Sequence, residues 1–176
     1  MDALIVVDVQ RDFCPGGALA VPDGDAVIEP INRLMGAFEL VVATRDWHPP
    51  DHGSFAPHGG PWPVHCVAGS DGAALHPELD AAGIDLILDK GIRADTDGYS
   101  GFEDTGLDAA LRERGVDTVH VCGLALDYCV RATALDARRA GFAVIVHGEA
   151  TRAVDPAGTG RRALAELRGA GVSLTA

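Results

Sequence analysis

The chain is short of basic residues. Its 176 residues include 14 lysines and arginines against 26 aspartates and glutamates, which gives a net charge of −12. Nucleic acids and anionic membranes bind proteins through a basic face, so this charge argues against both as partners. No apolar run approaches the roughly 20 residues of a membrane-spanning helix. The N-terminus enters a strand-like run without room for a signal segment, and we therefore expect a cytoplasmic protein.

Aromatic residues are also few, at 5% of the chain, whereas 47% of the residues are hydrophobic. A chain of this length can bury roughly 70% of its unfolded surface, which is enough for a substantial core. The sequence contains neither an internal repeat nor a domain linker, so we expect one domain over residues 1–176. In the cytoplasm the four cysteines should be reduced. They are Cys14, Cys66, Cys122 and Cys129.

Short apolar runs alternate along the chain with segments of helical periodicity. The runs that predict strands are residues 3–7, 40–43, 85–88, 118–122 and 142–146, with a weaker run at 172–174. The segments that predict helices are residues 27–38, 107–114, 127–140 and 161–168. Strands that are apolar along their whole length imply a parallel sheet covered by helices on both faces. The predicted fold is a three-layer α/β/α domain with a mainly parallel sheet of about six strands.

The loop from Asp46 to His65 combines one carboxylate with four imidazoles in a stretch rich in glycine and proline. The imidazoles belong to His48, His52, His58 and His65. Carboxylate oxygen and neutral imidazole nitrogen suit zinc, iron(II) and manganese alike. The sequence therefore predicts a divalent metal site in this loop, with all five side chains as candidate ligands.

Reactive side chains follow four of the predicted strands. Asp8 follows the first strand, Asp46 and His48 the second, Lys90 the third, and Cys129 lies just past the fourth. Ligands of open α/β sheets bind beyond the carboxyl ends of the strands. We therefore expect these side chains to meet at one edge of the sheet and to form a single site with the metal loop.

Each of the three reactive groups outside the loop also has a structural interpretation. Cys129 lies at the predicted start of a helix, where free N–H groups and the helix dipole favour a thiolate, but an isolated cysteine is often a packing residue. Asp8 is either a base for the thiol or a carboxylate that anchors a loop. Lys90 is either the cation that organises Asp8 and Cys129 or an ion-pair partner of Asp8 or Asp89.

Six short motifs are spread along the chain between residues 8 and 130 and are specific as a set. They are DVQRDF near the N-terminus, TRDWHPPDH followed by Ser54 and Phe55, WPVHC at 62–66, LDKG around Lys90, YSGF at 99–102, and GLALDYCV at 123–130. With these motifs the chain resembles the nicotinamidases, also called pyrazinamidases, of the isochorismatase-like cysteine hydrolases.

The resemblance implies roles for the residues at the strand ends. Asp8, Lys90 and Cys129 would form a catalytic triad. The N–H groups of Ala125 and Cys129 would form an oxyanion hole next to a cis peptide between Leu124 and Ala125. Such a bond without proline costs about 3–4 kcal/mol, so it is expected only where function requires it.

The resemblance also implies a metal site and a substrate pocket. One divalent ion, zinc, iron or manganese, would be bound by a set that leaves His58 outside: Asp46, His48, His52 and His65. The pocket around the substrate ring would be lined by Phe13, Trp62, Tyr99 and Tyr128. Two positions depart from the expected pattern beside this pocket and bear on substrate preference, namely Leu126 in place of a threonine and Tyr128 in place of a histidine.

The implied reaction is hydrolysis of nicotinamide, and of pyrazinamide, to the acid and ammonia through a cysteine thioester, as part of NAD salvage. Homo-oligomer formation is left open. Two other functions remain: an N-carbamoylsarcosine- or ureidoacrylate-type amidohydrolase with the same triad, and a non-catalytic metal or thiol sensor. The loop histidines favour the nicotinamidase, because the other amidohydrolases are not expected to carry the full histidine pattern.

Overall fold

A computed structural model describes residues 1–175 of the chain. Its strands are β1 (Asp2–Val7), β2 (Val41–Asp46), β3 (Leu86–Lys90), β4 (Thr118–Leu124), β5 (Ala143–Arg152) and β6 (Ser173–Thr175). Its α-helices are α1 (Ile28–Met35), α2 (Leu107–Glu113), α3 (Arg131–Arg139) and α4 (Thr159–Gly169). None of the helices within residues 1–175 is long and apolar enough to cross a membrane.

All six strands are parallel and lie in the order β3-β2-β1-β4-β5-β6. The chain builds outward from β1 in one direction and then returns to start again at β4, on the other side of β1. The loops that leave β1 and β4 therefore diverge, and open α/β sheets bind ligands in the crevice that such a switch creates.

The strand side chains alternate between two hydrophobic clusters, one on each face of the sheet. In β1, Ile5 and Val7 pack with α2, α3 and α4, whereas Leu4 and Val6 pack with α1. Apolar residues on both faces are the reason that the strand sequences are continuous hydrophobic runs. The predicted three-layer α/β/α fold with six strands is confirmed.

One predicted helix has a different structure at its start. The segment predicted as a helix from residue 127 begins with a π-helical turn, Leu126–Val130, and only then continues as α3. The N–H group of Arg131 reaches back to the carbonyl of Leu126, five residues earlier. Helical periodicity could not predict this, because one wide turn barely changes which residues face the core. The turn matters here because it carries Cys129.

Candidate active site

The strand register brings the predicted catalytic residues to one edge of the sheet. Asp46 and Lys90 are direct partners across β2 and β3. Val7 pairs with Gly123 on one side, and Asp8 follows it with its N–H donated to the carbonyl of Thr44 in β2. The carboxyl ends of β1, β2 and β3 thus present their polar side chains to the same crevice.

Lys90 lies at the centre of this group and is 1% exposed. Its Nζ lies 2.8 Å from Oδ2 of Asp8 and 2.5 Å from Oδ1 of Asp46. It also lies 3.4 Å from Sγ of Cys129. Asp89 is not its partner, since that carboxylate pairs with Arg45. Lys90 therefore contacts Asp8 and Cys129 together, as the first of the two alternatives requires. It also binds the buried carboxylate of Asp46.

Burial dominates the acid–base properties of this group. It raises the pKa of Asp8 to about 6, although the Lys90 ammonium opposes the change. It also raises the pKa of Cys129 well above its usual value, with only partial compensation from Lys90. The expectation that a helix N-terminus would favour the Cys129 thiolate is therefore wrong. The cysteine is 6% exposed and lies in the π-helical turn, so desolvation outweighs the N-terminal field.

The backbone before Cys129 forms a second polar feature. The Leu124–Ala125 peptide is cis, as the resemblance implied. The Ala125 carbonyl accepts hydrogen bonds at 3.1 Å from the N–H groups of Tyr128 and Val130, which flank the cysteine. Gly123 comes immediately before and has φ +106°, and a Cβ there would lie 2.1 Å from the Val7 carbonyl oxygen. Only glycine fits this turn.

Three predicted metal ligands lie close together in buried positions. One ligand atom from each of Asp46, His48 and His65 can be chosen so that all lie within 4.8 Å of one another. Oδ2 of Asp46 is 3.2 Å from Nε2 of His48 and 3.9 Å from Nε2 of His65. Burial raises the pKa of Asp46, but the Lys90 ammonium more than offsets this and holds the pKa well below its usual range, so the carboxylate is ionised.

The three histidines are each held by a hydrogen bond at Nδ1. His48 and His65 donate to the carbonyls of Gly91 and Pro63, both at 2.8 Å, and Nδ1 of His52 lies 2.7 Å from the Ser54 hydroxyl. A carbonyl can only accept, so Nδ1 of His48 and of His65 carries the proton. In a neutral ring, Nε2 then carries a free lone pair, and this tautomer can bind a metal through Nε2.

This tautomer assignment tests whether a cation fits the site. Neutral His48 and His65 direct lone pairs at an ionised Asp46, an arrangement that is favourable only with a positive charge between them. His52 lies beside this group with its ring stacked on His48 at 4.0 Å, and its buried Nε2 has no hydrogen-bond partner. The chemistry of these residues fits a divalent metal ion. His58 is exposed on the loop, in line with its exclusion.

Glycine is also required at position 91, next to Lys90, because a side chain there would clash with His48. Gly91 has φ +61°, and a Cβ at this position would lie 2.4 Å from Cε1 of His48. The close approach lets the Gly91 carbonyl accept the proton of Nδ1. The LDKG motif thus supplies both the buried cation and the group that orients a predicted metal ligand.

One cavity is lined by residues of both groups. Its lining includes Asp46, His48 and His65 from the predicted metal site and Cys129 from the predicted triad. The four residues predicted to form the substrate pocket all line it as well: Phe13, Trp62, Tyr99 and Tyr128. This aromatic lining suits a small planar ligand.

The two sequence positions that depart from the family pattern differ in location. Tyr128 lines the cavity, with its ring edge-on to Trp62 at 5.1 Å. Leu126 instead packs in the hydrophobic core with Val130 and Ala134, and it is not among the cavity-lining residues of the described chain. The expectation that both lie beside the pocket is therefore wrong for Leu126. Its apolar side chain fits its buried position at the start of the π-helical turn.

Sequence reasoning missed three residues of the site. Ser54 orients His52, and Asp97 lines the cavity. Gln10 is fully buried and hydrogen-bonds to the backbone of Asp46. No local pattern marked Gln10, because the chain turns at Asp8, which has φ +50°, and this turn brings the Gln10 side chain to the backbone of Asp46.

The sequence profile of the isochorismatase domain matches residues 2–176. The chain belongs to the isochorismatase family. Among its relatives, the nicotinamidase/pyrazinamidase of Mycobacterium tuberculosis is 47% identical over 185 residues, which cover 99% of this chain and 98% of that protein. The family assignment made from the motifs is confirmed.

Two solved structures of the family are similar along nearly their whole length. The pyrazinamidase of Pyrococcus horikoshii in complex with zinc superposes with a TM-score of 0.92 at 47% identity, covering 99% of this chain and 98% of that one. PnC1 from L. infantum in complex with nicotinate superposes with a TM-score of 0.95 at 44% identity, covering 99% and 92%.

Proposed function

We propose that this isochorismatase-family chain is a metal-dependent nicotinamidase that hydrolyses nicotinamide and pyrazinamide to the corresponding acids and ammonia. The observation that carries the proposal is the shared cavity: the Cys129 thiol, which lies beside the Lys90–Asp8 pair, lines it together with Asp46, His48 and His65. The similarity to relatives named for this activity supports the same conclusion.

The triad supplies a nucleophile that is charged only at the moment of attack. Burial keeps the Cys129 thiol protonated at rest, and Asp8, Lys90 and Cys129 are in contact distance of one another. Asp8 accepts the thiol proton as Sγ attacks the carboxamide carbon. The Lys90 ammonium stays protonated throughout, because Asp46 and Asp8 raise its pKa well above the usual value, and it balances the charge that moves between Asp8 and Cys129.

Collapse of the tetrahedral species breaks the C–N bond. The N–H groups of Ala125 and Cys129 hold the oxyanion, and each such donor is typically worth about 3 kcal/mol. Asp8 returns its proton to the leaving nitrogen, which departs as ammonia and leaves a thioester on Cys129. Asp8 then takes a proton from water, whose oxygen attacks the thioester, and gives it back to the sulfur as the acid leaves.

The loop residues orient the substrate for this attack. A divalent ion would be held by Asp46, His48, His52 and His65, and when bound it would supply a Lewis-acidic position for an aromatic ring nitrogen. The donor set suits zinc, iron and manganese, and the zinc complex of the Pyrococcus horikoshii relative supports zinc as one of them. Phe13 and Trp62 line the cavity and offer aromatic surface to the substrate ring.

A substrate panel tests the proposal. Ammonia release by the metal-loaded protein is measured with nicotinamide, pyrazinamide, N-carbamoylsarcosine and benzamide, which lacks the ring nitrogen. We expect turnover of the first two and a drop in kcat/KM of about 100-fold or more for benzamide. Preferred turnover of N-carbamoylsarcosine would assign the chain to the other amidohydrolase class. Absence of turnover with all four would contradict an amidohydrolase function.

A further inference from the structure

Gln10 is a fully buried amide side chain with three hydrogen bonds to backbone groups. Its Nε2 donates to the carbonyls of Asp46, at 2.8 Å, and of Ala73, at 2.9 Å. Its Oε1 accepts the Asp46 N–H at 2.8 Å. Both backbone groups of Asp46 are therefore bound by one side chain, which is part of neither the triad nor the ligand set.

Gln10 binds the backbone of Asp46 because β1 ends before it reaches the level of Asp46 in the sheet. The β1–β2 ladder ends where Val7 pairs with Thr44, and the chain then turns away at Asp8, which has φ +50°. Asp46 lies two residues beyond Thr44, so its N–H and carbonyl point toward a strand that is no longer there. The carboxamide of Gln10 has one donor and one acceptor arranged as in a peptide group, and it replaces the missing strand.

We propose that Gln10 is a positioning residue that fixes the carboxylate of Asp46 between the two halves of the site. Asp46 directs Oδ1 at Lys90, at 2.5 Å, and Oδ2 at Nε2 of His48, at 3.2 Å. Both contacts hold at once only for a narrow range of backbone positions. Without the Gln10 clamp, the N–H and carbonyl of Asp46 lose their hydrogen bonds, and this end of β2 is held through its ladder with β3 and through the backbone bonds of His48.

The clamp also connects Asp46 to the predicted base. Gln10 donates its own N–H to the Asp8 carbonyl at 2.9 Å, so one short turn carries the base and the clamp. A change at Gln10 should therefore act on metal binding through Asp46 and on turnover through Lys90 and Asp8. Groups that orient a metal ligand typically change metal affinity by about 10- to 100-fold when they are removed.

The test compares Gln10→Met, which keeps the length of the side chain and removes all three hydrogen bonds, with two controls. Asn32→Leu removes a similar clamp elsewhere, in which Asn32 bonds the backbone of Glu78 and Asp80 at 2.9 Å each. Leu167→Ala destabilises the core from α4, away from the cavity. Each protein is titrated with zinc against a competing chelator, its melting temperature is recorded, and kcat and KM are measured at saturating zinc.

For Gln10→Met we expect zinc affinity to fall by about 10- to 100-fold and kcat at saturating zinc to fall as well. Both controls should keep the zinc affinity within about twofold of the parent chain, even where the melting temperature falls equally. A Gln10→Met protein with a lower melting temperature but unchanged zinc affinity and kcat would overturn the proposal and leave Gln10 a purely structural residue.

Gln10→Glu provides a second variant if Gln10→Met does not fold. It keeps the acceptor for the Asp46 N–H but turns a carboxylate oxygen toward the Asp46 and Ala73 carbonyls, so we expect zinc affinity to fall here too. Unchanged affinity would overturn the proposal. The inference rests on the proposed function only for its kcat readout. The zinc titration needs no substrate, so a parent chain that bound zinc but did not hydrolyse nicotinamide would contradict the function alone.

Discussion

Nζ of Lys90 lies 2.8 Å from Oδ2 of Asp8, and neither side chain has any exposed surface. Two opposite charges in such a place stabilise the fold only as a pair, because each would be strongly destabilising alone. The pair is also open on one side, toward Cys129. The same contact therefore satisfies two buried charges and prepares a proton acceptor for the thiol.

Replacing the cation should show this double role. Lys90→Met leaves the carboxylates of Asp8 and Asp46 without their partner, so we expect the free energy of unfolding to fall by about 3–5 kcal/mol. Turnover should be lost. Urea unfolding and ammonia release measure the two effects. Arg45→Met is the control, since its partly exposed pair with Asp89 should contribute about 1 kcal/mol or less. An equal fall in the free energy of unfolding for the two variants would contradict the claim that burial makes the Lys90 pairs important for stability.

The pH dependence of kcat/KM should report the base. Asp8 must be ionised to accept the thiol proton, and burial raises its pKa to about 6, so activity should fall below roughly that pH. The Thr44 hydroxyl donates to Asp8 Oδ1 at 2.7 Å and favours the ionised form. Thr44→Val should therefore move the acidic limb to higher pH.

A matched control for the pH experiment is Thr133→Val. Thr133 is equally buried, but its hydroxyl accepts the N–H of Gly101 rather than facing Asp8. The acidic limb of this variant should coincide with that of the parent chain. If the acidic limb did not move in Thr44→Val, Asp8 would not be the group whose protonation lowers kcat/KM at low pH.

Metal binding should depend on the buried histidines and not on the exposed one. His48→Ala removes an Nε2 that faces Asp46, so bound metal should fall and KM for nicotinamide should rise. His58→Ala changes an exposed loop residue and should leave both unchanged. Elemental analysis after gel filtration measures the metal, and chelation of the parent chain should abolish turnover. Full metal content in His48→Ala would remove this residue from the ligand set.

Alkylation should distinguish the cysteines. Cys129 lines the cavity beside Asp8, whereas Cys122 is fully buried in β4 and burial raises its pKa with no compensating partner. Iodoacetamide should therefore modify Cys129 first, and nicotinate should protect it. Peptide mass spectrometry gives the extent of labelling at each site. Equal labelling of the two thiols would contradict an activated Cys129.

The fold was predictable because its strands are buried on both faces, which leaves continuous apolar runs such as Ala3–Val7. The candidate triad was predictable because each member follows a strand, and Lys90 is the only lysine of the chain. The acid–base state of Cys129 was not predictable, because the sequence indicates the start of a helix but not how deeply the thiol is buried. Nor was Gln10, whose role depends on where β1 leaves the sheet.

The metal loop from Asp46 to His65 was also predictable only in part. Its composition predicts a metal site and leaves five candidate ligands, of which only the resemblance removed His58. The tautomers that direct Nε2 of His48 and His65 toward Asp46 depend on the carbonyls of Gly91 and Pro63. Gly91 lies more than 40 residues away from His48 in sequence, so no local pattern could connect them.

Ammonia release from nicotinamide by metal-loaded Cys129→Ala, measured beside the parent chain and Cys122→Ala, tests the central claim most directly. The account predicts turnover by the parent chain and by Cys122→Ala, and a loss of about a thousandfold or more in Cys129→Ala, because no other cysteine within residues 1–175 lines the cavity. Appreciable turnover by Cys129→Ala with its metal in place would contradict a mechanism in which this cysteine breaks the carboxamide bond.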